Sequence, residues 1–344
     1  MDDVRQEMKM RMKKNMSGDE FVIERPPYVF SKSWHRQFPP MIVVSITNVC
    51  NLNCIHCFSS KFRKLPEYHP VMMAWDIWEK ICGQAGAWPG VILNFGTDGE
   101  PLLHPRLLDM LRLARKQTIY PINITTNGVT MNHQFNKVMI EENLTDIMNI
   151  SLDAFTPESY KKIRGGSFKK VMGHLDDLIA QRNKSESALK IQVNIIDQPE
   201  ARDELADFKR HWEKRVDNVL IRTYYDATAF SGQTGPDLTG KQSQMDEVDR
   251  WPCQQLWRRF NIAEDGTARF CVDDWFNKTK LGDLKEQSIA DIWTSEEYDR
   301  LRHLHITGRF EKIPYCAKCT EWQGMKWDYD YFKAMSKMLK KKLL

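Results

Sequence analysis

Short runs rich in β-branched residues recur along the first two-thirds of the chain, each followed by a helix-like pattern. They are "MIVVSIT" from Met41, "GVILNFG" from Gly90, "PINITTN" from Pro121, "DIMNISLD" from Asp146, "LKIQVNII" from Leu189 and "NVLIRTYY" from Asn218. Between them, segments such as "MAWDIWEKICGQ" and "PRLLDMLRLARKQ" space their apolar residues three and four apart, as an amphipathic helix does. Six strand–helix alternations predict an α/β fold with a parallel sheet and right-handed crossovers. Such a sheet closes partly, as a barrel short of eight strands, or stays open and doubly wound. Periodicity allows both.

The pattern changes after Tyr225. "DATAFSGQTGPDLTGKQSQ" has no period and reads as a linker, residues 226–250. From about Trp251 the chain carries four cysteines, many aromatics and short elements, which suits a small metal-stabilised domain over residues 251–344. The larger domain then spans 40–225, preceded by an extension over 1–39. Lysine and arginine gather at both ends, in "KMRMKK" and "KAMSKMLKKKLL", which read as solvated, partly helical ends closing in a basic helix. Nucleic acid is not an expected partner, because no aromatic-rich RNA motif accompanies these lysines.

A chain of 344 residues can hold this two-domain plan. No apolar run approaches the ~20 residues of a membrane span, and the N-terminus lacks the apolar core of a secretory signal. The expected location is therefore the cytoplasm, where eight cysteines serve as metal ligands or core residues more readily than as disulfides. Cys82 shares a helical face with Trp78, Ile81 and Ala85 and reads as a core thiol.

The other seven cysteines carry the chemistry. "CNLNCIHC" packs Cys50, Cys54 and Cys57 into the loop after the first predicted strand. Zinc would need a fourth ligand, and His56 is an awkward one, because its neighbour Cys57 already ligates. An iron–sulfur cluster needs only three thiolates if one iron is kept for a substrate or cofactor.

CxxxCxxC after the first strand of a βα series resembles the radical S-adenosylmethionine (SAM) enzymes. The resemblance implies a partial (βα)6 barrel. It also implies a 4Fe–4S cluster on the three thiolates, whose open iron chelates the SAM amino and carboxylate groups. Reductive cleavage of SAM then yields methionine and a 5′-deoxyadenosyl radical that abstracts hydrogen from substrate. "FGTDGEPLLHP" is similar to the family's Gly-Gly-Glu segment, whose backbone receives the SAM amino group, and Gly99 and Glu100 fall on it. Asp98 stands where the first glycine is usual, and a left-handed turn there is expected to survive. "ITTNG" also resembles family sequences. In "NISLD", Ser151 and Asp153 match positions that bind the SAM ribose or carboxylate. Arg164 of "KKIRGG" is a further partner for that carboxylate, and His56 and Phe58 are neighbours for the adenine. All follow strand ends, the barrel face where loops converge. The fifth strand offers no readable adenine motif.

In the tail, Cys253, Cys271, Cys316 and Cys319 form a four-thiolate set, for which zinc is the general reading. The spacing Cys253–Gly266–Cys271 followed by CxxC, with "LGDLKEQSIADIW" and "IPYCAKCTEW", resembles the twitch domain, a shortened SPASM module of radical SAM enzymes. The resemblance implies a second, fully ligated 4Fe–4S cluster able only to pass electrons. Family members with twitch domains oxidise hydroxyl carbons of sugars or aminocyclitols, or modify ribosomally made peptides. A small hydroxylated substrate is expected here, since Met1–Pro39 is too short and polar for a leader-peptide-binding domain. The family's chemistry also implies an electron donor such as a flavodoxin or ferredoxin. A peptide maturase and a non-catalytic metal-binding scaffold are the other readings.

Overall fold

The computed structural model describes residues 12–14, 20–22, 30–224, 250–317, 319, 321–324, 327 and 331–341. The expected linker 226–250 lies outside the described residues, except Arg250. A short antiparallel hairpin, β1 (Met12–Lys14) with β2 (Glu20–Val22), stands where the basic N-terminal end was expected to be partly helical.

All six expected strands form: β3 (Met41–Val44), β4 (Ile92–Phe95), β5 (Ile122–Thr126), β6 (Ile147–Ser151), β7 (Lys190–Asp197) and β8 (Asn218–Thr223). They pair in parallel and in sequence order. Helices α1 (Trp75–Gly86), α2 (Leu107–Lys116), α3 (His133–Glu141), α4 (Pro157–Arg164), α5 (Phe168–Lys184) and α6 (Leu205–Trp212) fall between them. Helix α1 buries the expected stripe of Ile77, Trp78, Ile81, Cys82 and Ala85, and Trp78 Nε1 donates to the Met110 carbonyl of α2 at 3.0 Å. Cys82 is a core thiol, as expected.

The C-terminal segment continues the same sheet. Strand β9 (Phe260–Ile262) pairs in parallel with β3, and β10 (Thr267–Arg269) and β11 (Lys280–Asp283) add antiparallel strands beyond it. Nine strands thus run in the order β11-β10-β9-β3-β4-β5-β6-β7-β8. The edge of β3 is covered by the segment that carries the second cysteine set, which removes an exposed edge from the sheet.

The inner face of the curved sheet has two zones. At the strand starts, Met41, Val43, Ile92 and Ile147 pack on Met335 of the C-terminal helix, with Met338 and Leu339 beside them. Helix α7 (Glu296–Ile306) precedes this closing helix, α8 (Tyr331–Leu339). Residues of β3, β4 and β6 share one buried cluster with this helix, as a sheet curved into a partial barrel allows. The basic C-terminal end is helical as expected but not simply solvated, because its apolar face plugs the barrel floor. Above the floor the wall is polar. Asn149 accepts from Gln192 at 3.0 Å and from Asn194 at 2.9 Å, Gln192 accepts from Asn218 at 2.6 Å, and Asn123 donates to Asn94. Met335 is 0% exposed, so Met335→Ala should cost about 2–5 kcal/mol in denaturant-induced unfolding. A surface-like change under 0.5 kcal/mol would mean that the floor is not sealed by this helix.

Candidate active site at the strand ends

Beyond Val44 the chain leaves β3 through Ser45–Val49 and enters the cysteine loop. Arg63 donates to the carbonyls of Cys50 and Leu52 and to Asn53 Oδ1 at 2.9 Å, fastening the loop's first half. Its second half turns into the short helix Ser59–Phe62, with Ser60 Oγ donating to the Cys54 and Cys57 carbonyls at 3.0 and 2.8 Å. Cys54 is buried, and Cys50 and Cys57 are half-buried. The three thiols lie within each other's electrostatic reach: burial first, then Cys54 and Cys50, push Cys57 up to about 12. Burial likewise raises Cys50 and Cys54. Such thiols stay protonated alone and become thiolates when a cationic centre compensates them, so the donor set fits an iron cluster.

The Asp98–Glu100 segment meets this loop from β4. A Cβ on Gly99 would stand 2.4 Å from the Thr47 carbonyl and 2.6 Å from that of Val49, while the Glu100 amide donates to Val49 O at 2.8 Å. Gly99 is therefore required by close approach of two backbones. The expected left-handed residue at Asp98 is corrected: Asp98 is not at positive φ, whereas Gly96 before it and Asp153 after β6 are, at 126° and 55°. Asp98 instead forms a buried ion pair with Arg269 of β10. The Glu100 carboxylate accepts from Leu102 N at 3.1 Å, Thr126 Oγ1 at 2.7 Å and Asn127 N at 2.8 Å. Burial raises its pKa, and these three donors oppose the rise.

Asn127, in "TTNG", was not among the candidate residues. Its Nδ2 lies 4.0 Å from Cys50 Sγ and donates to Asn51 at 2.8 Å, and its own amide is held by Glu100. The signal available was its position directly after β5, beside the glycine that closes the turn.

Helix α4 delivers Arg164. Thr156 and Ser159 form its capping box, Pro157 opens it, and Gly165 closes it at φ 78°. Arg164 at its last turn pairs with Asp153, and its Nη1 lies 3.8 Å from Cys54 Sγ. Two residues expected to hold SAM thus face each other across the loop. Asp153 Oδ1 and Arg164 Nε remain buried without protein partners, which leaves polar capacity for a ligand. His56 Nε2 stands 3.4 Å from Asp153 Oδ2, and burial lowers its pKa to about 4, so the ring is neutral at pH 7. Ser151 Oγ accepts from Asn194 at 3.3 Å. Phe58 is buried and packs on the half-buried Phe62, Trp275 and Phe276, its centroid 5.9 Å from each of the latter two. That aromatic cluster joins the cysteine loop to the C-terminal segment.

The second cysteine set converges in the same way. Cys253 and Cys319 raise Cys316, Cys253 raises Cys319, and Cys271 feels Cys319 and Cys316. Burial, then Cys253, pushes Cys319 up to about 12, and burial raises Cys253 to about 11. Arg250 donates to the Cys316 carbonyl at 2.8 Å while stacking over Phe310. Among the described residues, no three His, Cys, Asp or Glu side chains close up as a single-ion site.

Glu264 lies in the turn from β9 to β10. Its Oε1 accepts from Asn48 at 2.8 Å, and its Oε2 is buried without a partner. Burial first, then Asp98, raises its pKa to about 7. A carboxylic acid whose pKa is higher folded than unfolded loses stability as pH rises from about 4.5 to about 7. Glu264→Gln should therefore stabilise the protein by roughly 1–3 kcal/mol at pH 8 and much less at pH 5.5, read from unfolding at both values. Equal effects at both would contradict the raised pKa. Gly99→Ala should lower thermal stability and weaken SAM binding together, because the atoms its Cβ meets are backbone. Wild-type behaviour would refute the clamp.

Residues 44–207 match the radical SAM superfamily, and residues 253–320 match SPASM, an iron–sulfur cluster-binding domain. A GTP 3′,8-cyclase of Limosilactobacillus fermentum is 34% identical over 179 residues, 51% of this chain and 51% of that protein, so the chain spans about half of that relative. Among solved structures, BtrN in complex with AdoMet and 2-DOIA superposes with TM-score 0.54 at 16% identity, covering 81% of this chain and 92% of that one. Streptococcus suis SuiB bound to precursor peptide SuiA superposes with TM-score 0.59 at 18% identity, covering 77% and 67%. Among the described residues no helix is long and apolar enough to cross a membrane. With one thiol set in the loop after the first barrel strand and a second running from Cys253, before β9, to Cys319, the chain carries a radical SAM domain followed by an iron–sulfur cluster-binding domain of the SPASM type.

Proposed function

We propose that this protein oxidises a small hydroxylated substrate, of sugar or aminocyclitol type, at a carbon bearing a hydroxyl. The observation that carries the reading is the barrel's inner wall, lined by Asn94, Asn123, Asn149, Gln192, Asn194 and Asn218. These uncharged amides exchange hydrogen bonds with one another and match hydroxyl groups, which both donate and accept. An apolar or strongly charged substrate would find few complements there.

In this reading Cys50, Cys54 and Cys57 hold the first cluster, and Cys253, Cys271, Cys316 and Cys319 the second. The first cluster with SAM supplies hydrogen-atom abstraction, and the second supplies an electron acceptor. The substrate's CH–OH unit loses its carbon-bound hydrogen as an atom, then its hydroxyl proton and one electron, leaving a ketone. Gly99 brings the backbone of its segment against the cysteine loop. Asp153 and Arg164, with Ser151, bind the polar parts of SAM, while His56, neutral and half-buried, and Phe58 lie on the adenine side. Arg164 also lowers the cost of negative charge on Cys54. A flavodoxin or ferredoxin serves as electron donor.

Anaerobically reconstituted protein should hold about eight irons per chain, against about four if the tail set binds zinc. After reduction it should convert SAM to 5′-deoxyadenosine and methionine, and alanine at Cys50, Cys54 and Cys57 together should abolish this. A triple variant that still makes 5′-deoxyadenosine would overturn the cluster assignment. A Cys316→Ala, Cys319→Ala variant that remains folded by circular dichroism should still cleave SAM yet release no ketone from polyol substrates. Undiminished oxidation by that variant, or turnover of peptides and not of polyols, would overturn the proposed reaction.

A further inference from the structure

Arg269 ends β10, two residues before Cys271, and its guanidinium reaches back into the barrel. It donates to the Asp274 carbonyl from one nitrogen and to Asp98 from another, and the Asp98 and Arg269 side chains are 4% and 3% exposed. Asp98 occupies the first position of the segment that resembles the family's Gly-Gly-Glu motif. The next residue, Gly99, is wedged against the Thr47 and Val49 carbonyls, and Glu100 then grips Thr126 and Asn127. A continuous set of contacts therefore runs from the second cysteine set, through one buried ion pair, to the backbone beside Cys50.

A buried pair is costly to desolvate and seldom retained for stability alone, but removing one partner strands a charge. Here the stranded charges would differ. Without Arg269, Asp98 would face Glu264 with no cation between them, since both carboxylates lie in the field of Arg269. Without the charge on Asp98, Arg269 would keep the Asp274 carbonyl and the field of Glu264.

We propose that Asp98 and Arg269 are a positioning pair, through which the auxiliary domain fixes the segment that receives the SAM amino group. SAM affinity in this chain is thus set partly by a residue of the C-terminal domain. The proposal rests on the reading of Asp98–Glu100 as a SAM-binding segment.

The test uses the reconstituted full chain, with SAM as the probe. Two readouts are taken: the electron paramagnetic resonance change of the reduced protein on adding SAM, and the KM and kcat of substrate-free SAM cleavage. Asp98→Asn should raise the half-saturating SAM concentration about tenfold with kcat changed less than twofold, and Arg269→Gln should raise it further. The double variant Asp98→Asn, Arg269→Gln should bind SAM better than Arg269→Gln alone, because the stranded charge is gone. Arg269→Lys should recover part of the loss. Unchanged half-saturation in folded Asp98→Asn, or strictly additive effects in the double variant, would overturn the proposal. A wild-type spectrum indifferent to SAM would instead overturn the SAM-site reading itself, and the proposal with it.

Discussion

Glu100 is 3% exposed, yet its carboxylate accepts from a hydroxyl of β5, from the amide after that hydroxyl and from an amide of its own turn. A buried carboxylate is tolerable only when donors replace water, and here three do. Much else in the site hangs on that satisfaction. Because Glu100 holds Asn127, Asn127 can reach Asn51 and the Cys50 sulfur, so two strand ends are tied to the loop that carries the first thiols. The Gly99 contact is the complement of this grip, since the same turn cannot be drawn to Thr126 without pressing against Val49.

Charge in the barrel mouth is mostly cancelled locally. Asp153 is matched by Arg164 and Asp98 by Arg269, so the mouth carries little unbalanced charge from these four groups. What remains for a ligand is hydrogen-bonding capacity: the orphaned oxygen of Asp153 and the unused nitrogen of Arg164. A site of this kind selects by direction more than by net charge, since each orphan accepts or donates along a fixed line.

Strand positions were readable because each element repeats one local rule, β-branched runs followed by helical spacing, and the cysteine spacings are short enough to be seen whole. The distant pairings were not. Nothing near Asp98 indicates Arg269, which lies far along the chain, and its local reading as a strained turn residue was replaced by a tertiary ion pair. Asp153 and Arg164 each stand out locally, but their mutual contact depends on how α4 returns over the sheet. The merging of β9 with β3 was hidden for the same reason, because a parallel pairing between two domains leaves no turn signal in the sequence. Basic composition pointed to a solvated C-terminal end, whereas its methionines supplied the apolar face.

The helix that seals the barrel floor has a consequence for how the molecule is made. Met41 and Met335 belong to one buried cluster although nearly the whole chain separates them, so this cluster closes a very long loop. During synthesis β3, β4 and β6 emerge first, and their inward apolar residues wait for a partner that arrives more than a hundred residues after β8. Until then the half-barrel presents a sticky underside to the cell, a state that favours chaperone binding or mispairing between neighbouring nascent chains.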